Sequence, residues 1–177
     1  MLRDNGRAME QRDSAPPSDL CKYAKQMIEE RLHKMLGQVD DVRRSEETEP
    51  VHKMRVASRR ARAALDIFDV CFADSDYARD ERQVKKVTHV LSEARDVDVM
   101  REKLADHLRE LPQEQRSGLQ SYIDQLQRRR EQAQKTVDKA LRRLESYDLE
   151  AHIKALSTKG DFNRARQAAG RRRGEHG

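Results

Sequence analysis

The stretch from Val51 to Phe68, VHKMRVASRRARAALDIF, places one histidine and five Lys/Arg residues in eighteen positions, with no acid before Asp66. On a helix, at about 100° per residue, its basic and apolar side chains fall on different sides. The basic stripe consists of His52, Arg55, Arg59 and Arg62, and opposite it lie Met54, Ala57, Ala61, Ala64, Leu65 and Phe68. The pattern predicts a helix with an apolar seam on one side and a cationic face on the other.

A cationic face of this kind is most often a solvated surface, on which acids and bases alternate and pair at i,i+4. Here we expect no acid within reach along the same helix for about four turns. The basic side chains would then repel one another, unless another element supplies carboxylates or an anion supplies phosphates. Because the planar guanidinium fork suits phosphate oxygens, an anionic partner is the leading hypothesis.

The composition limits the fold and the partners. A chain of 177 residues has room for about one domain, and 36% hydrophobic against 39% charged residues, with no Trp, leaves few side chains for a wide core. Long helices sharing narrow seams meet this restriction. The net charge of +5 favours nucleic acid, polyphosphate or another anionic surface as the partner.

Location and cysteine use follow from what the sequence lacks. It has no run of about 18 apolar residues, so no membrane span is expected. Residues 1–19 lack the apolar stretch of a secretory signal, which predicts a cytoplasmic protein. Cys21 and Cys71 form no CxxC or metal-type spacing. In a reducing compartment we expect them to be small buried apolar residues.

Apolar residues that recur at three- and four-residue steps predict four long helices. The first runs from Leu20 to about Val39 and fades into an acidic turn at residues 43–49. The second begins after Thr48, with Pro50 in its first turn, and the third extends from about Asp76 to Pro112. A flexible segment (1–18), a helical domain (19–157) and a basic disordered tail (158–177) are the expected divisions.

The fourth helix carries two interleaved series with a spacing of seven, which indicates a helix–helix seam. The series are Leu119, Leu126, Ala133, Ala140 and Ile123, Arg130, Val137, Leu144. Arg130 occupies a position where an apolar residue is expected, so its charge needs a protein partner or an anion. On the third helix, Lys86 and His89 lie close together on one face and precede Arg95.

Three blocks in order, HKMRVASRRARAALDIF, LSEARDVDVM and RREQAQKTVDKAL, resemble the CHAD domain, the conserved histidine α-helical domain. The resemblance covers roughly residues 20–156. It implies an all-α fold of long antiparallel helices in four-helix bundles, with basic side chains lining a groove or pore that binds inorganic polyphosphate. Some members associate with polyphosphate granules.

The resemblance also implies site residues. By position, His52, Arg55, Arg59 and Arg60 match the basic block of the family. Arg95 and Asp96 match an Arg-Asp block, and Arg130 matches a basic position on the fourth helix. Weaker matches are Lys53, Arg62, Lys86 and His89.

One departure from the family matters. The family normally has two similar halves, each with a basic helix of the H-x-x-R type, and this chain shows only the first. Neither His107 nor His152 is followed by the second arginine pair. The sequence thus predicts one antiparallel four-helix bundle, which is half of a pseudo-two-fold arrangement. Either it is an open module, or two copies pair as a homodimer.

The function that the resemblance implies is binding of inorganic polyphosphate. Because no E-x-E-x-K, Gly-rich phosphate loop or H-E-x-x-H motif is present, we expect this binding to be non-enzymatic. Backbone binding of RNA or DNA is the alternative, although no aromatic residues alternate with the basic block to stack bases. A helical scaffold for a protein partner is a further alternative. No cofactor is indicated. Metal binding by His52, His89, His107 and His152 is disfavoured by their spacing and by neighbouring arginines.

Overall fold

Long helices make up nearly all of the computed structural model, which describes residues 18–45, 47–72, 75–149, 151–152 and 155. They are α1 (Ser18–Leu36), α2 (Val39–Arg44), α3 (Thr48–Ile67), α4 (Ser75–Glu110) and α5 (Arg116–Ser146). Short 3-10 turns follow α3 at Asp69–Cys71 and precede α5 at Gln113–Gln115. This part of the chain contains no strand, which confirms the predicted all-α class.

The helix ends differ from the prediction near the first turn. α1 ends at Leu36, and a turn at Gly37 and Gln38 separates it from α2, which occupies part of the predicted acidic turn. The Gly37 amide donates to the His33 carbonyl at 2.9 Å, closing the last turn of α1. The prediction of one helix up to Val39 was therefore wrong in its C-terminal turn.

Two hydrogen bonds fix the direction and register of α3 against α4. The Thr48 hydroxyl, at the start of α3, donates to Glu102 at 2.9 Å, near the far end of α4. The Tyr77 hydroxyl, near the start of α4, donates to the Leu65 carbonyl near the end of α3. The two helices are therefore antiparallel, as predicted.

α4 and α5 also run in opposite directions, because Asp98 pairs with Arg130 and Asp80 accepts a hydrogen bond from Tyr147 at 2.7 Å. Contacts of α1 with α3, α3 with α4 and α4 with α5 enclose one core. Its fully buried large side chains come from all the long helices and α2, and they include Ile28, Leu32, Met35, Val42, Met54, Leu65, Leu91, Leu141 and Leu144. The four-helix prediction holds, with α2 as an addition.

Cys21 and Cys71 form a disulfide that links the start of α1 to the turn after α3. Both residues are buried, beside Ala24, Phe68 and Phe72. The expectation of two separate reduced cysteines was therefore wrong, although their burial was predicted correctly. The antiparallel packing of α1 on α3 brings the two positions to a Cα–Cα distance of 5.3 Å, which lies within the range for a disulfide.

The predicted N-terminal segment, apart from Ser18 at the start of α1, and the predicted basic tail lie outside the described residues. The described part of the domain therefore consists of the bundle and the short continuation after α5.

Candidate functional site

The α3 helix buries its apolar side chains and leaves most of its basic side chains exposed. Its apolar side is buried at Val51, Met54, Ala61, Ala64 and Leu65. The basic residues lie on the remaining surface. Lys53, Arg59, Arg60 and Arg62 are exposed, whereas His52 and Arg55 are half-buried.

A groove of about 530 Å³ separates part of this face from α1. Three of its basic residues, His52, Lys53 and Arg60, come from α3, and two, Arg31 and Lys34, come from α1. Sequence reasoning missed the two α1 residues. The sequence shows only that they are three residues apart and therefore lie on one side of α1. Their place in the groove depends on the packing of α1 beside α3.

At 100° per residue, Arg55 and Arg62 fall within about 40° of Thr48, whose side chain is bonded to α4. The register set by the Thr48–Glu102 and Tyr77–Leu65 bonds places Arg55 across from the stretch of α4 between residues 88 and 95. The cations of α3 are thus distributed over two flanks and the ridge between them, because Lys53 and Arg60 lie on the groove side of the predicted stripe.

Two of these cations have acidic partners on α3 itself. Lys53 lies 3.8 Å from Glu49, and Arg62 lies 3.5 Å from Asp66, both at i,i+4. Because α3 begins at Thr48, Glu49 joins the helix, and the expectation of no acid within reach was wrong at its two ends. Among the described residues, no carboxylate pairs with Arg55, Arg59 or Arg60.

Two buried polar atoms on this face have no hydrogen-bond partner among the described residues. They are Nδ1 of His52 and Nε of Arg55. The Arg55 Nε–H is a donor only, and the His52 ring nitrogen donates or accepts according to its tautomer. A buried donor without an acceptor costs free energy, so an oxyanion or water at this position would be stabilised.

Arg95 is held by a carboxylate of its own helix. Its two terminal nitrogens lie 3.0 and 3.2 Å from the two oxygens of Glu102, and its side chain is 19% exposed. Hydrogen bonds from Arg95 and Thr48, together with the charges of Arg95 and Arg101, lower the pKa of Glu102, against a smaller opposing effect of burial. The Arg95 fork is therefore occupied in this structure.

Arg130 is buried and has the protein partner that its seam position requires. Its Nε donates to Asp98 at 2.5 Å, and a terminal nitrogen donates to Gln134 at 2.8 Å. Burial raises the pKa of Asp98, while the charges of Arg130, Arg95 and Arg101 act in the opposite direction. Of the two possibilities for Arg130, a partner or an anion, the structure supplies the partner.

Lys86 and His89 are exposed on α4, and His89 lies 3.4 Å from Glu93. At 100° per residue, Lys86 is on the side of α4 opposite Tyr77 and Glu102, the residues bonded to α3. The structure therefore does not bring Lys86 close to the α3 cations.

The model of one protein family, described as CHAD domain, matches residues 26–176 of the chain. The chain belongs to the CHAD domain family. Searches of curated proteins and of solved structures found no match. The resemblance carried by the three sequence blocks is confirmed at the level of the family.

Two further findings concern this CHAD domain. Within the described residues, no cluster of three or more His, Cys, Asp or Glu side chains is arranged to hold a metal ion. His152 instead pairs with the buried Asp80, 2.8 Å from its carboxylate oxygen. Over the same residues, no helix is long and apolar enough to cross a membrane.

Proposed function

We propose that this CHAD domain binds inorganic polyphosphate along the exposed side of α3, without catalysing a reaction. The observation that carries the proposal is the set of three α3 arginines without an acidic partner among the described residues, Arg55, Arg59 and Arg60. Membership of a family associated with polyphosphate binding adds support. The proposed ligand is a linear polyanion with closely spaced, identical charges. It therefore suits a row of cations that follow one another along a helix.

The α1–α3 groove gives the ligand a second row of donors. Arg31 and Lys34 lie across it from Lys53 and Arg60, so a phosphate chain in the groove would contact cations from two helices, with Lys34 exchanging Glu30 for it and Lys53 exchanging Glu49. His52 lines the groove, and its buried, unpartnered Nδ1 would reach a phosphate oxygen only after the ring turns towards the groove. Arg59 would contact the same chain from the ridge.

The remaining candidate residues have different roles in this proposal. Arg95 would bind phosphate only if its ion pair with Glu102 opened. Arg62 would likewise have to release Asp66 before it could bind phosphate. Arg130 acts as a positioning residue, because its hydrogen bond to Asp98 holds α5 against α4. Lys86 and His89 would contribute only longer-range attraction.

The proposal extends to the assembly and the location. Since the sequence supplies one basic helix of the H-x-x-R type, two copies would pair to present two basic faces to one ligand. Binding to long polyphosphate would place the protein at polyphosphate granules.

A titration with polyphosphate tests the proposal. Fluorescently labelled chains of several lengths are titrated with the protein, with triphosphate and RNA as competitors, at two salt concentrations. The Arg59→Glu/Arg60→Glu variant should lose binding while its helical circular dichroism is unchanged, since both side chains are exposed. Unchanged affinity in this variant would reject the assigned surface.

A matched control distinguishes a site from general charge. Arg128 and Lys135 are exposed on α5, and Arg128→Glu/Lys135→Glu changes the net charge by the same amount. This control should weaken binding far less than the α3 variant. Equal losses would show that only net charge matters.

Competition with RNA distinguishes polyphosphate from RNA, which is the alternative ligand. Tyr23 and Tyr122 are the exposed aromatic residues among those described, and neither lies on α3. Because no base-stacking platform adjoins the cations, polyphosphate should displace RNA at lower phosphate equivalents than RNA displaces polyphosphate. If RNA displaces polyphosphate at the lower phosphate equivalents, the RNA hypothesis is supported. If neither ligand binds, a helical scaffold for a protein partner is favoured.

A further inference from the structure

One carboxylate, that of Glu102, collects hydrogen bonds from two helices. Both terminal nitrogens of Arg95 donate to it, at 3.0 and 3.2 Å, and the Thr48 hydroxyl donates to it at 2.9 Å. Three donors thus converge on a single oxyanion. Proteins bind phosphate groups with the same kind of donor set, because the guanidinium fork matches carboxylate and phosphate oxygens equally well.

The packing of α3 on α4 places Arg55 and Arg95 opposite each other. Arg95 lies seven residues before Glu102, which is two turns along α4 and within about 20° of the same side. Arg55 lies seven residues after Thr48, which is two turns along α3 and again on the same side. Thr48 meets Glu102, and the two helices are antiparallel, so both steps lead in one direction. The two arginine positions therefore face each other across the boundary between α3 and α4.

The guanidinium groups of these two arginines have different surroundings. Arg95 reaches along α4 to Glu102 and is fully engaged there. Arg55 is half-buried, and its buried Nε has no acceptor among the described residues. A buried donor without an acceptor costs free energy, so an anion beside Arg55 would be stabilised. The position opposite Arg95 thus lacks the acceptor that Glu102 provides two turns away.

We propose that Glu102 is an internal competitor for the phosphate ligand. It holds the Arg95 guanidinium away from Arg55, and a phosphate group that takes its place is bound by Arg55 and Arg95 together. The inference rests on the proposed function and adds a residue that sets the affinity of that surface. Because one ion pair has to open before another forms, Glu102 weakens the binding of every phosphate ligand.

The released carboxylate has room to move away from the ligand. The Glu102 side chain is 46% exposed and lines a groove of about 730 Å³. Four acidic and two basic residues line this groove, and the other acids are Glu47, Glu49 and Asp106. Such a groove repels a polyanion. The ligand would therefore approach from the side of Arg55, while Glu102 turns into the solvent of the groove.

Titrations of the full chain with labelled polyphosphate and with triphosphate test the proposal. Glu102→Gln and Glu102→Ala should each raise the affinity about fivefold, because phosphate then binds without opening an ion pair. The alanine variant also removes the amide oxygen that would still accept a hydrogen bond from Arg95. Circular dichroism verifies that each variant is folded.

The gain in affinity should require both arginines. In the Arg95→Gln background, and separately in the Arg55→Gln background, Glu102→Gln should change the affinity by less than about twofold. A gain that persists without Arg95 would show that Glu102 acts only through its charge, and competition would be wrong. A gain that persists without Arg55 would show that the two arginines do not share one phosphate.

The matched control is Asp106→Asn, one turn further along α4. It makes the same change in charge in the same groove, but Asp106 pairs with Arg109, at 3.0 Å, instead of with Arg95. It should change the affinity by less than about twofold. An equal gain from Asp106→Asn, or no gain from either Glu102 variant, would overturn the proposal.

Failure of this inference is distinguishable from failure of the proposed function. If only the inference is wrong, the Arg59→Glu/Arg60→Glu variant still loses binding and the Glu102 variants bind like the wild type. If the assigned surface is wrong, the Arg59→Glu/Arg60→Glu variant retains its affinity. Absence of polyphosphate and triphosphate binding in the wild type and in both Glu102 variants would overturn the two proposals together.

Discussion

Arg130 on α5 and Asp98 on α4 form an ion pair inside the bundle, with the Asp98 side chain fully buried and that of Arg130 9% exposed. Arg130→Met would leave a buried carboxylate without its main partner. We expect it to lower the free energy of unfolding by about 3–5 kcal/mol. The double variant Asp98→Leu/Arg130→Met should recover most of this loss, because both charges are then removed. Urea denaturation of the three proteins gives the coupling between the residues.

The same variants test the positioning role of Arg130. If Arg130 only holds α5 against α4, the double variant should bind polyphosphate with nearly wild-type affinity. A large loss of affinity in a stable double variant would instead show that Arg130 contacts the ligand.

Glu102 makes stability depend on pH in the acid range. Arg95 and Thr48 lower its pKa in the folded state from the ordinary value of 4.5. The contribution is therefore present above that value and is lost as the pH falls through the folded pKa. Between pH 6 and pH 3, wild-type stability should fall more steeply than that of Glu102→Gln. Parallel pH profiles for the two proteins would contradict this prediction.

The Cys21–Cys71 disulfide closes a long loop that contains α2 and α3. Changing both cysteines to serine should lower the free energy of unfolding by about 2–4 kcal/mol, because the unfolded chain regains the freedom of that loop. A thiol assay under denaturing conditions, before and after reduction, tests whether the bond is present. Two free thiols before reduction would contradict the bridge, and a wild-type stability unaffected by reductant would contradict its energetic role.

The sequence predicted the elements that depend on local periodicity. The basic stretch forms a helix because its apolar residues follow the 3.6-residue period, and the seven-residue seam placed Leu126, Arg130, Val137 and Leu144 in the buried side of α5. The sequence did not predict which residues of other helices pair with them. Glu102 meets Thr48 of α3, and Cys21 meets Cys71, only after the helices have packed in one register.

The α1–α3 groove illustrates the same limit at the site. The cations of α3 were recognised from their own spacing, whereas Arg31 and Lys34 belong to the site through tertiary packing alone. Lys86 was predicted as a site residue, but the structure does not place it at the site. It lies on the side of α4 that points away from α3.

The position of Lys86 and His89 leads to a prediction about their contribution. Lys86→Glu combined with His89→Gln should reduce polyphosphate affinity less than Arg60→Glu alone, measured at physiological salt. At low salt the difference should shrink, because the screening length increases and distant charges then act on the ligand. A larger loss from the α4 pair at physiological salt would move the proposed site from α3 to the outer side of α4.

The salt dependence of binding reports how many phosphates the protein neutralises. If Arg31, Lys34, Lys53, Arg59 and Arg60 each neutralise one phosphate, the plot of log affinity against log salt should have a slope of about −3.5, by analogy with single-stranded nucleic acids. Arg60→Gln should reduce the magnitude of that slope by about 0.7, whereas Arg128→Gln on α5 should leave it unchanged. The two variants carry the same charge change, and both side chains are exposed. Equal slopes for the two variants would show that the cations of α3 act only through the net charge of the protein, and the proposed contacts along the helix would then be wrong.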